Sequence, residues 1–314
     1  MDAIDTTRPG PLRRFISHPL VLLPIGCALV MAAWLGTAVP LQMAGLTRGA
    51  PAALSGVFVA TVTIAVYRAF VRWIERGRDG DLPFDGTALP EAAKGFGYGL
   101  ALFCGAVLAV MALGGLRIEG GSGSVGDLSQ IVGLAVFSGV TEELFFRGVM
   151  FRFIERAGGS IVALIITSAL FGAAHIANPD STWAAALAIM LEAGVMLTAI
   201  YMLTRNLWTA IGLHAGWNFT QGYVFSLPVS GGTAPNGLLV TTRSGPEWLT
   251  GGAFGLEASL ATVVVVTLFG LVVLAQAVRR GRLVPMRGAR AAQDALNDQT
   301  TLANQTKLAD QTKL

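Results

Sequence analysis

Three charged residues, Glu142, Glu143 and Arg147, lie within six positions of an apolar run that extends from Leu128 to Phe153. A charged side chain at the centre of a bilayer costs about 2.5–3.5 kcal/mol even on lenient insertion scales, so such charges are expected to be paired or solvated and to mark a functional site. At helical spacing, Glu143 and Arg147 share one face and predict an ion pair, whereas Glu142 points about 100° away. Glu142 is therefore the carboxylate available for chemistry, unless all three charges serve only to hold helices together.

Two further polar motifs follow in later apolar runs. Phe171-x-x-x-His175 lies in one run and His214-x-x-x-Asn218 in another. His214 and Asn218 are four residues apart and therefore share a helix face. The chain has three histidines in all, so two of them inside apolar runs indicate a polar site. The alternative for either histidine alone is a hydrogen bond between helices, worth about 0.6–2 kcal/mol.

Chain length from the predicted turns places these groups in depth. Glu142 and His175 lie almost equally far from the turn at Gly158-Gly159, on adjacent antiparallel helices, so they are expected at the same depth. His214 is only nine residues past a second turn at Arg205. That turn must therefore lie deeper in the membrane than the first one if His214 is to reach the other two side chains.

The composition indicates a membrane protein. The 314 residues are 53% hydrophobic and 13% charged, with a mean hydropathy of +0.62, and the charged share is about half of the roughly 25% found in soluble domains. The net charge of +3 needs no nucleic-acid partner, because the basic residues cluster at the ends of apolar runs, as membrane anchors do. Cys27 and Cys104 lie in apolar runs and predict neither a disulfide framework nor a metal site.

The apolar runs predict an all-α polytopic fold with eight membrane-spanning helices of about 20 residues each. Their approximate bounds are 19–41, 51–73, 92–116, 128–158, 160–177, 183–203, 207–225 and 256–278. Asp127 is placed to cap the fourth helix, and loops are predicted at 120–124 and 228–252. The chain divides into an N-terminal segment (1–18), helices one to three (19–127), a polar core of helices four to seven (128–225), an external loop with helix eight (226–280) and a disordered tail (281–314).

Charge asymmetry between alternate loops predicts the orientation. The loops on one side carry only Arg48, Arg117 and Arg243. The basic residues of the other side are Arg8, Arg13, Arg14, Arg68, Arg72, Arg76, Arg78, Lys94, Arg152, Arg156, Arg205, Arg279, Arg280, Arg282, Arg287 and Arg290. Because basic loops stay in the cytoplasm, the sequence predicts a multi-pass protein of the plasma membrane with both termini cytoplasmic.

The motifs Glu142-Glu143-x-x-x-Arg147, Phe171-x-x-x-His175 and His214-x-x-x-Asn218, in this order on successive membrane helices, resemble one protein family. It is the CAAX-protease and bacteriocin-processing (CPBP) family of intramembrane proteases, also called CAAX prenyl protease type 2-like or Abi. The resemblance covers residues 128–225. It implies that the active site consists of Glu142, His175, His214 and Asn218, with Glu143 and Arg147 in support.

Amide hydrolysis needs an activated water, a group that stabilises the carbonyl oxygen and a proton for the leaving amine. Glu142 suits the general base, with His175 positioning the water, and His214 and Asn218 can donate hydrogen bonds to the oxyanion. Alternatively, Glu142, His175 and His214 could hold a zinc ion that activates the water, since two imidazoles and a carboxylate are a plausible catalytic ligand set. Ligand spacing does not decide between these mechanisms.

The function expected from the motifs is an intramembrane endopeptidase that cuts a membrane-associated peptide or protein entering from the cytoplasmic side. Two alternatives belong to other classes. One is a secondary transporter whose proton relay includes Glu142, Glu192 and the histidines, although no internal duplication of the kind found in transporters is present. The other is a non-enzymatic bacteriocin-immunity scaffold. Glu192 is unusual in a span of small and apolar residues. Three roles are open for it: an ion pair with another residue, the lining of a cavity, or catalysis.

Overall fold

The computed structural model describes residues 15–76, 81–121 and 125–286. Most of the predicted N-terminal segment and tail, and residues 122–124 of the predicted Gly/Ser loop, lie outside these ranges. The described chain is mostly helical, which confirms the predicted all-α membrane class.

The helices and strands follow one another with short connections. The α-helices are α1 (Pro19–Met43), α2 (Ala52–Ala69), α3 (Ala88–Ala112), α4 (Val125–Glu143), α5 (Arg152–Gly158), α6 (Ser160–Ala174), α7 (Trp183–Ile189), α8 (Val195–Thr204), α9 (Leu207–Phe219), α10 (Glu247–Thr250) and α11 (Leu260–Arg279). Two strands, β1 (Leu116–Gly121) and β2 (Leu239–Arg243), pair antiparallel.

Several helices continue as one rod through segments with a different winding. Wider π-helical turns extend α2 through Phe70–Glu75, join α4 to α5 through Leu144–Phe151, join α7 to α8 through Met190–Gly194 and extend α9 through Thr220–Val224. A 3₁₀ turn, His175–Ala177, ends α6. Because π-helical turns interrupt the regular hydrogen-bond pattern, they often occur at functional sites.

Seven helical rods of the described residues are long and apolar enough to cross a membrane. They are Pro19–Met43, Ala52–Glu75, Ala88–Ala112, Asp127–Gly158, Ser160–Ala177, Trp183–Thr204 and Leu260–Arg279. The predicted seventh span does form a helix, Leu207–Val224, but it is not among these seven rods. This helix carries the polar residues His214, Asn218 and Gln221 and is mostly buried inside the bundle.

Some sequence predictions between the helices are wrong. The third helix ends at Ala112 rather than Leu116, because Leu116 begins strand β1. Gly120 and Gly121 belong to that strand, and the loop predicted at 228–252 contains β2 and α10. Asp127 is not a cap, because α4 already begins at Val125; its carboxylate instead accepts a hydrogen bond from the backbone of Asn236 at 2.8 Å.

Both ends of the bundle are held by long-range hydrogen bonds. At one end, called the basic end here, Arg205 donates to Glu155 at 2.8 Å and Ser160 N donates to the carbonyl oxygen of Val284 at 2.9 Å. The turn at Arg205 therefore lies beside Glu155, three residues before α5 ends at Gly158. This turn is thus deeper in the membrane than the Gly158-Gly159 turn, as His214 needs in order to reach Glu142 and His175. The opposite end, called the loop end, contains the β1–β2 pair and the connections 44–51, 178–182 and 225–259.

Glycines allow α3 and α9 to approach closely. A Cβ atom on Gly95 or Gly99 of α3 would overlap backbone carbonyl oxygens of α9, and one on Gly212 or Gly216 of α9 would overlap those of α3. Both pairs have the Gly-x-x-x-Gly spacing that packs membrane helices together. Because His214 lies between Gly212 and Gly216 on α9, this contact fixes the position of the histidine.

We expect Gly95→Ala to lower the amount of folded protein and its thermal stability, because the added methyl group meets the carbonyl oxygen of Thr209 and forces the helices apart. Gly97→Ala is the matched control on the same helix, since a Cβ there has open space; it should be neutral or stabilising by up to about 1 kcal/mol. Thermal unfolding in detergent checks both variants. Equal behaviour of the two would contradict this account of α3–α9 packing.

Candidate active site

Glu143 and Arg147 form a fully buried ion pair. Their side chains are 0% exposed, and Arg147 Nη1 donates to Glu143 Oε1 at 2.8 Å, which confirms the predicted pair. Arg147 also donates to Thr198 Oγ1 at 3.3 Å and to the carbonyl oxygens of Ala193 and Gly194 at 3.2 Å. The guanidinium thereby links the α4–α5 rod to the α7–α8 rod, because all three of its nitrogen atoms donate hydrogen bonds.

The same oxygen of Glu143 also holds His214. His214 Nδ1 lies 2.9 Å from Glu143 Oε1. A carboxylate can only accept, so Nδ1 carries the proton and Nε2 is the ring nitrogen that points elsewhere. Nε2 faces Glu142, 4.0 Å from Glu142 Oε2. The sequence did not predict this link, because the rotation of α9 about its axis depends on its packing against α3.

Glu142 differs from its neighbour as helical spacing predicts. Its side chain is 17% exposed, against 0% for Glu143. Its Oε2 atom is buried and has no hydrogen-bond partner among the described residues. The 4.0 Å to His214 Nε2 is too long for a direct hydrogen bond, and it lets both groups reach one water or one substrate oxygen. Glu142 is thus the carboxylate that remains available.

His175 is oriented by the residue one turn before it. Its Nδ1 lies 2.8 Å from the carbonyl oxygen of Phe171, and because a carbonyl oxygen only accepts, Nδ1–H is the donor. The Phe171 ring packs on both histidines, with ring centroids 4.8 Å from His175 and 6.2 Å from His214. The Arg147 guanidinium lies 4.7 Å above that ring. Phe171 therefore fills the space between the ion pair and the two imidazoles.

Asn218 is oriented by a residue that sequence reasoning missed. Its Nδ2 donates to Ser138 Oγ at 2.8 Å, and Ser138 Oγ donates to the carbonyl oxygen of Leu134. Ser138 lies four residues before Glu142 and so occupies the same face of α4. That spacing was the signal available in the sequence. A single serine in an apolar helix, however, usually donates only to a backbone carbonyl of the same helix and so does not indicate a site.

One cavity of about 600 Å³ brings the predicted residues together. Glu142, His175, His214 and Asn218 all line it, as does Ser138. Glu143 and Arg147 do not line it and lie behind Glu142 and His214. The structure thus places the four residues expected to contact substrate on the cavity wall and the two supporting residues behind that wall.

Two further buried acids lie beside this site. Glu192 and Glu257 line a small cavity of about 20 Å³ together with His175, His214 and Asn218. Both acids are 1% exposed, and neither oxygen of Glu192 has a partner among the described residues. Burial raises the pKa of Glu257, which precedes α11. Glu257 was missed although the predicted eighth helix, 256–278, includes it, because a single acid at the end of an apolar run is usual where a helix meets water and it is far from the motifs.

We expect Glu192→Met to raise the melting temperature, because it removes a buried carboxylate that has no hydrogen-bond partner among the described residues. Such an unsatisfied group destabilises a fold by about 1–3 kcal/mol. Glu192→Gln is the matched control: it keeps the shape and leaves an unpartnered amide, so it should gain little. Thermal unfolding in detergent compares the two. A lower melting temperature for Glu192→Met would mean that Glu192 supports the fold through an interaction other than those described.

The predicted zinc ligands do not assemble as a ligand set. Among the residues that the structure describes, no three His, Cys, Asp or Glu side chains are grouped so that they could hold a metal ion. Nδ1 of His175 binds a backbone carbonyl and Nδ1 of His214 binds Glu143, which leaves both Nε2 atoms free, so it is the grouping of the side chains that does not fit. In this arrangement the predicted residues do not fit a zinc ion.

Comparison with known families identifies one matching segment. Residues 124–220 match the family model described as Rce1-like, type II CAAX prenyl endopeptidase, which confirms the resemblance to the CPBP family over that segment. All seven motif residues lie within it, whereas the first three helices and Glu257 lie outside, and the match covers less than half of the chain. No curated protein and no solved structure matches the chain. The match supports a CAAX-type intramembrane endopeptidase.

Proposed function

We propose that this protein is an intramembrane endopeptidase that hydrolyses a peptide bond of a membrane-associated substrate with a water activated by Glu142. One observation carries the proposal. A carboxylate oxygen that has no hydrogen-bond partner among the described residues faces an imidazole nitrogen at 4.0 Å, on the wall of a cavity of about 600 Å³. The family match over residues 124–220 supports the same reaction class. We place the protein in the plasma membrane with cytoplasmic termini.

The proposed reaction breaks one O–H bond of water and the scissile C–N bond, and it forms a C–O bond and an N–H bond. Glu142 accepts a proton from water as the water oxygen attacks the scissile carbonyl carbon, and His175 positions that water. The tetrahedral oxyanion accepts hydrogen bonds from His214 Nε2–H and the Asn218 amide. Glu142 then returns the proton to the leaving nitrogen as the C–N bond breaks. The immediate products are a carboxylic acid and an amine, which ionise in water to a carboxylate and an ammonium group, so atoms and charge balance.

The residues behind the cavity wall prepare His214 for this role. To donate from Nε2 while Nδ1–H binds Glu143, the ring must carry both protons. The Glu143 carboxylate at 2.9 Å stabilises that imidazolium and fixes the direction of Nε2. Arg147 balances the charge of Glu143 within a region that excludes water. The arrangement resembles the way in which a buried carboxylate orients the histidine of a hydrolase triad.

The test uses purified protein in detergent with a prenylated CAAX peptide and a pool of unprenylated, internally quenched peptides. In ¹⁸O-labelled water, mass spectrometry should find one ¹⁸O atom in the new carboxylate of the N-terminal product. Absence of cleavage for all peptides, together with proton-coupled uptake in proteoliposomes, would replace the protease by the transporter alternative. Absence of both activities would favour the scaffold alternative.

We expect cleavage to survive removal of metal ions, because the described residues do not group three donors around one point. Protein stripped by prolonged chelation, with zinc content measured by mass spectrometry, should retain its turnover within about two-fold. Apo-protein restored with zinc is the control. Reversible loss of activity on stripping, with about one zinc bound on recovery, would establish the metal mechanism instead.

A further inference from the structure

We propose that the substrate peptide enters the site from the non-cytoplasmic side of the membrane, opposite to the side that the sequence motifs led us to expect. This inference rests on the proposed protease function. It narrows the substrate class to a peptide segment exposed at, or emerging from, the outer leaflet. The argument combines the direction in which the cavity opens with the distribution of charge between the two ends of the bundle.

The cavity extends from the site towards the loop end. Its wall follows the second half of α1, the first half of α2 and the first half of α4. Beyond these helices it is lined by a set of polar side chains, called the mouth residues here: Gln42, Thr47, Arg48, Gln130, Asn178 and Thr233. These residues lie at helix ends and in connections of the loop end, at the depth where polar groups meet water.

The walls of the mouth are held firmly. Ser129 Oγ donates to the carbonyl oxygen of Ala50 at 2.7 Å and accepts from Ala53 N at 3.2 Å. Asn178 Nδ2 donates to the carbonyl oxygen of Ser230 at 3.1 Å. These bonds join the α1–α2 connection to α4, and the end of α6 to the connection after α9. The opening is therefore part of the folded arrangement of this end.

Along the same rod, the described residues between the site and the basic end are closely packed. Between the site and that end, Val149, Phe151 and Phe153 are each 0% exposed. Beyond them, Glu75 binds both Arg152 at 2.8 Å and Arg156 at 2.6 Å. A substrate that approached Glu142 from this end would have to displace packed aromatic rings and the buried Glu75–Arg152 pair, and breaking a buried pair on one side typically costs about 3–5 kcal/mol.

Charge then assigns the two ends to the two sides of the membrane. The loop end carries three basic residues among those described, Arg48, Arg117 and Arg243. The described basic residues at or near the basic end are Arg68, Arg72, Arg76, Lys94, Arg152, Arg156, Arg205, Arg279, Arg280 and Arg282. Because basic ends remain cytoplasmic, the mouth faces outward. A prenylated tail on a cytoplasmic protein would meet the closed end.

Cysteine labelling tests the side on which the mouth lies. Thr47→Cys places a thiol at the mouth, and Gly86→Cys is the matched control at the basic end, where a Cβ has open space. A membrane-impermeant maleimide added to right-side-out vesicles should label Thr47→Cys at least ten-fold faster than Gly86→Cys, and inside-out vesicles should reverse the order. The unsubstituted protein, with Cys27 and Cys104 inside helices, gives the background. Preferential labelling of Gly86→Cys from outside would overturn the proposal.

Sidedness of cleavage tests entry itself. A charged, unprenylated quenched peptide that the detergent-solubilised protein cleaves is added to sealed vesicles of each orientation. Cleavage should occur in right-side-out vesicles and fall at least ten-fold in inside-out ones, and a bulky maleimide on Thr47→Cys should block it. Cleavage confined to inside-out vesicles would overturn the entry side while leaving the protease function intact. If the solubilised protein cuts no peptide at all, the protease function fails and the entry proposal falls with it.

Discussion

Glu142→Gln is expected to abolish peptide cleavage while the protein accumulates normally in the membrane. Glutamine keeps the size of the side chain and its hydrogen bonding, but it cannot accept the proton of the attacking water. General bases typically contribute 10²–10⁴-fold to rate, so turnover should fall by about that factor. The fold should tolerate the change, because Oε2 of Glu142 has no hydrogen-bond partner among the described residues.

The measurement compares turnover per folded molecule with membrane abundance and melting temperature. Glu247→Gln is the matched control, since Glu247 is an exposed acid at the start of α10, away from the cavity. It should match the unsubstituted protein in all three readouts. Full activity of Glu142→Gln would remove Glu142 from its role as base and leave His175 and His214 as the candidates to activate the water.

The sequence predicted the features that depend on spacing within one helix. Glu143 and Arg147 pair across one turn, and Glu142 turns away from them, because helical geometry alone sets these directions. The apolar runs located the helices for a similar reason: the hydrocarbon thickness fixes the length of a spanning segment. The predicted convergence of Glu142 with His175 likewise required only equal chain lengths from a common turn.

Features that depend on contacts between helices could not be predicted in the same way. The bond from His214 to Glu143 requires the rotation of α9 that its glycine contact with α3 imposes. The π-helical turns at 144–151, 190–194 and 220–224 have no sequence signal. A π-helical turn holds one more residue than an α-helical turn, and where it forms depends on how the helix packs against its neighbours. The β1–β2 pair joins connections more than a hundred residues apart, which local patterns do not report.

The bond between His214 and Glu143 changes what the neighbouring glutamate is expected to do. Glu143→Gln should lose stability, because it leaves the Arg147 guanidinium buried without its counter-charge, a change that typically costs about 3–5 kcal/mol. It should also lower turnover per folded molecule, because a neutral amide stabilises the His214 imidazolium less well. Arg147→Met should cost a similar amount of stability but retain more activity per folded molecule, since Glu143 still binds His214.

A double-mutant cycle separates these two roles of Glu143. The double variant Glu143→Gln/Arg147→Met should be more stable than the sum of the single losses predicts, because neither unpaired charge remains buried. Its turnover per folded molecule should nevertheless resemble that of Glu143→Gln, because His214 is again without its carboxylate. Additive stability losses would show that the ion pair is not coupled in the folded protein. Equal turnover in the two single variants would show that Glu143 acts only through Arg147, and that His214 keeps its orientation and its proton without the carboxylate.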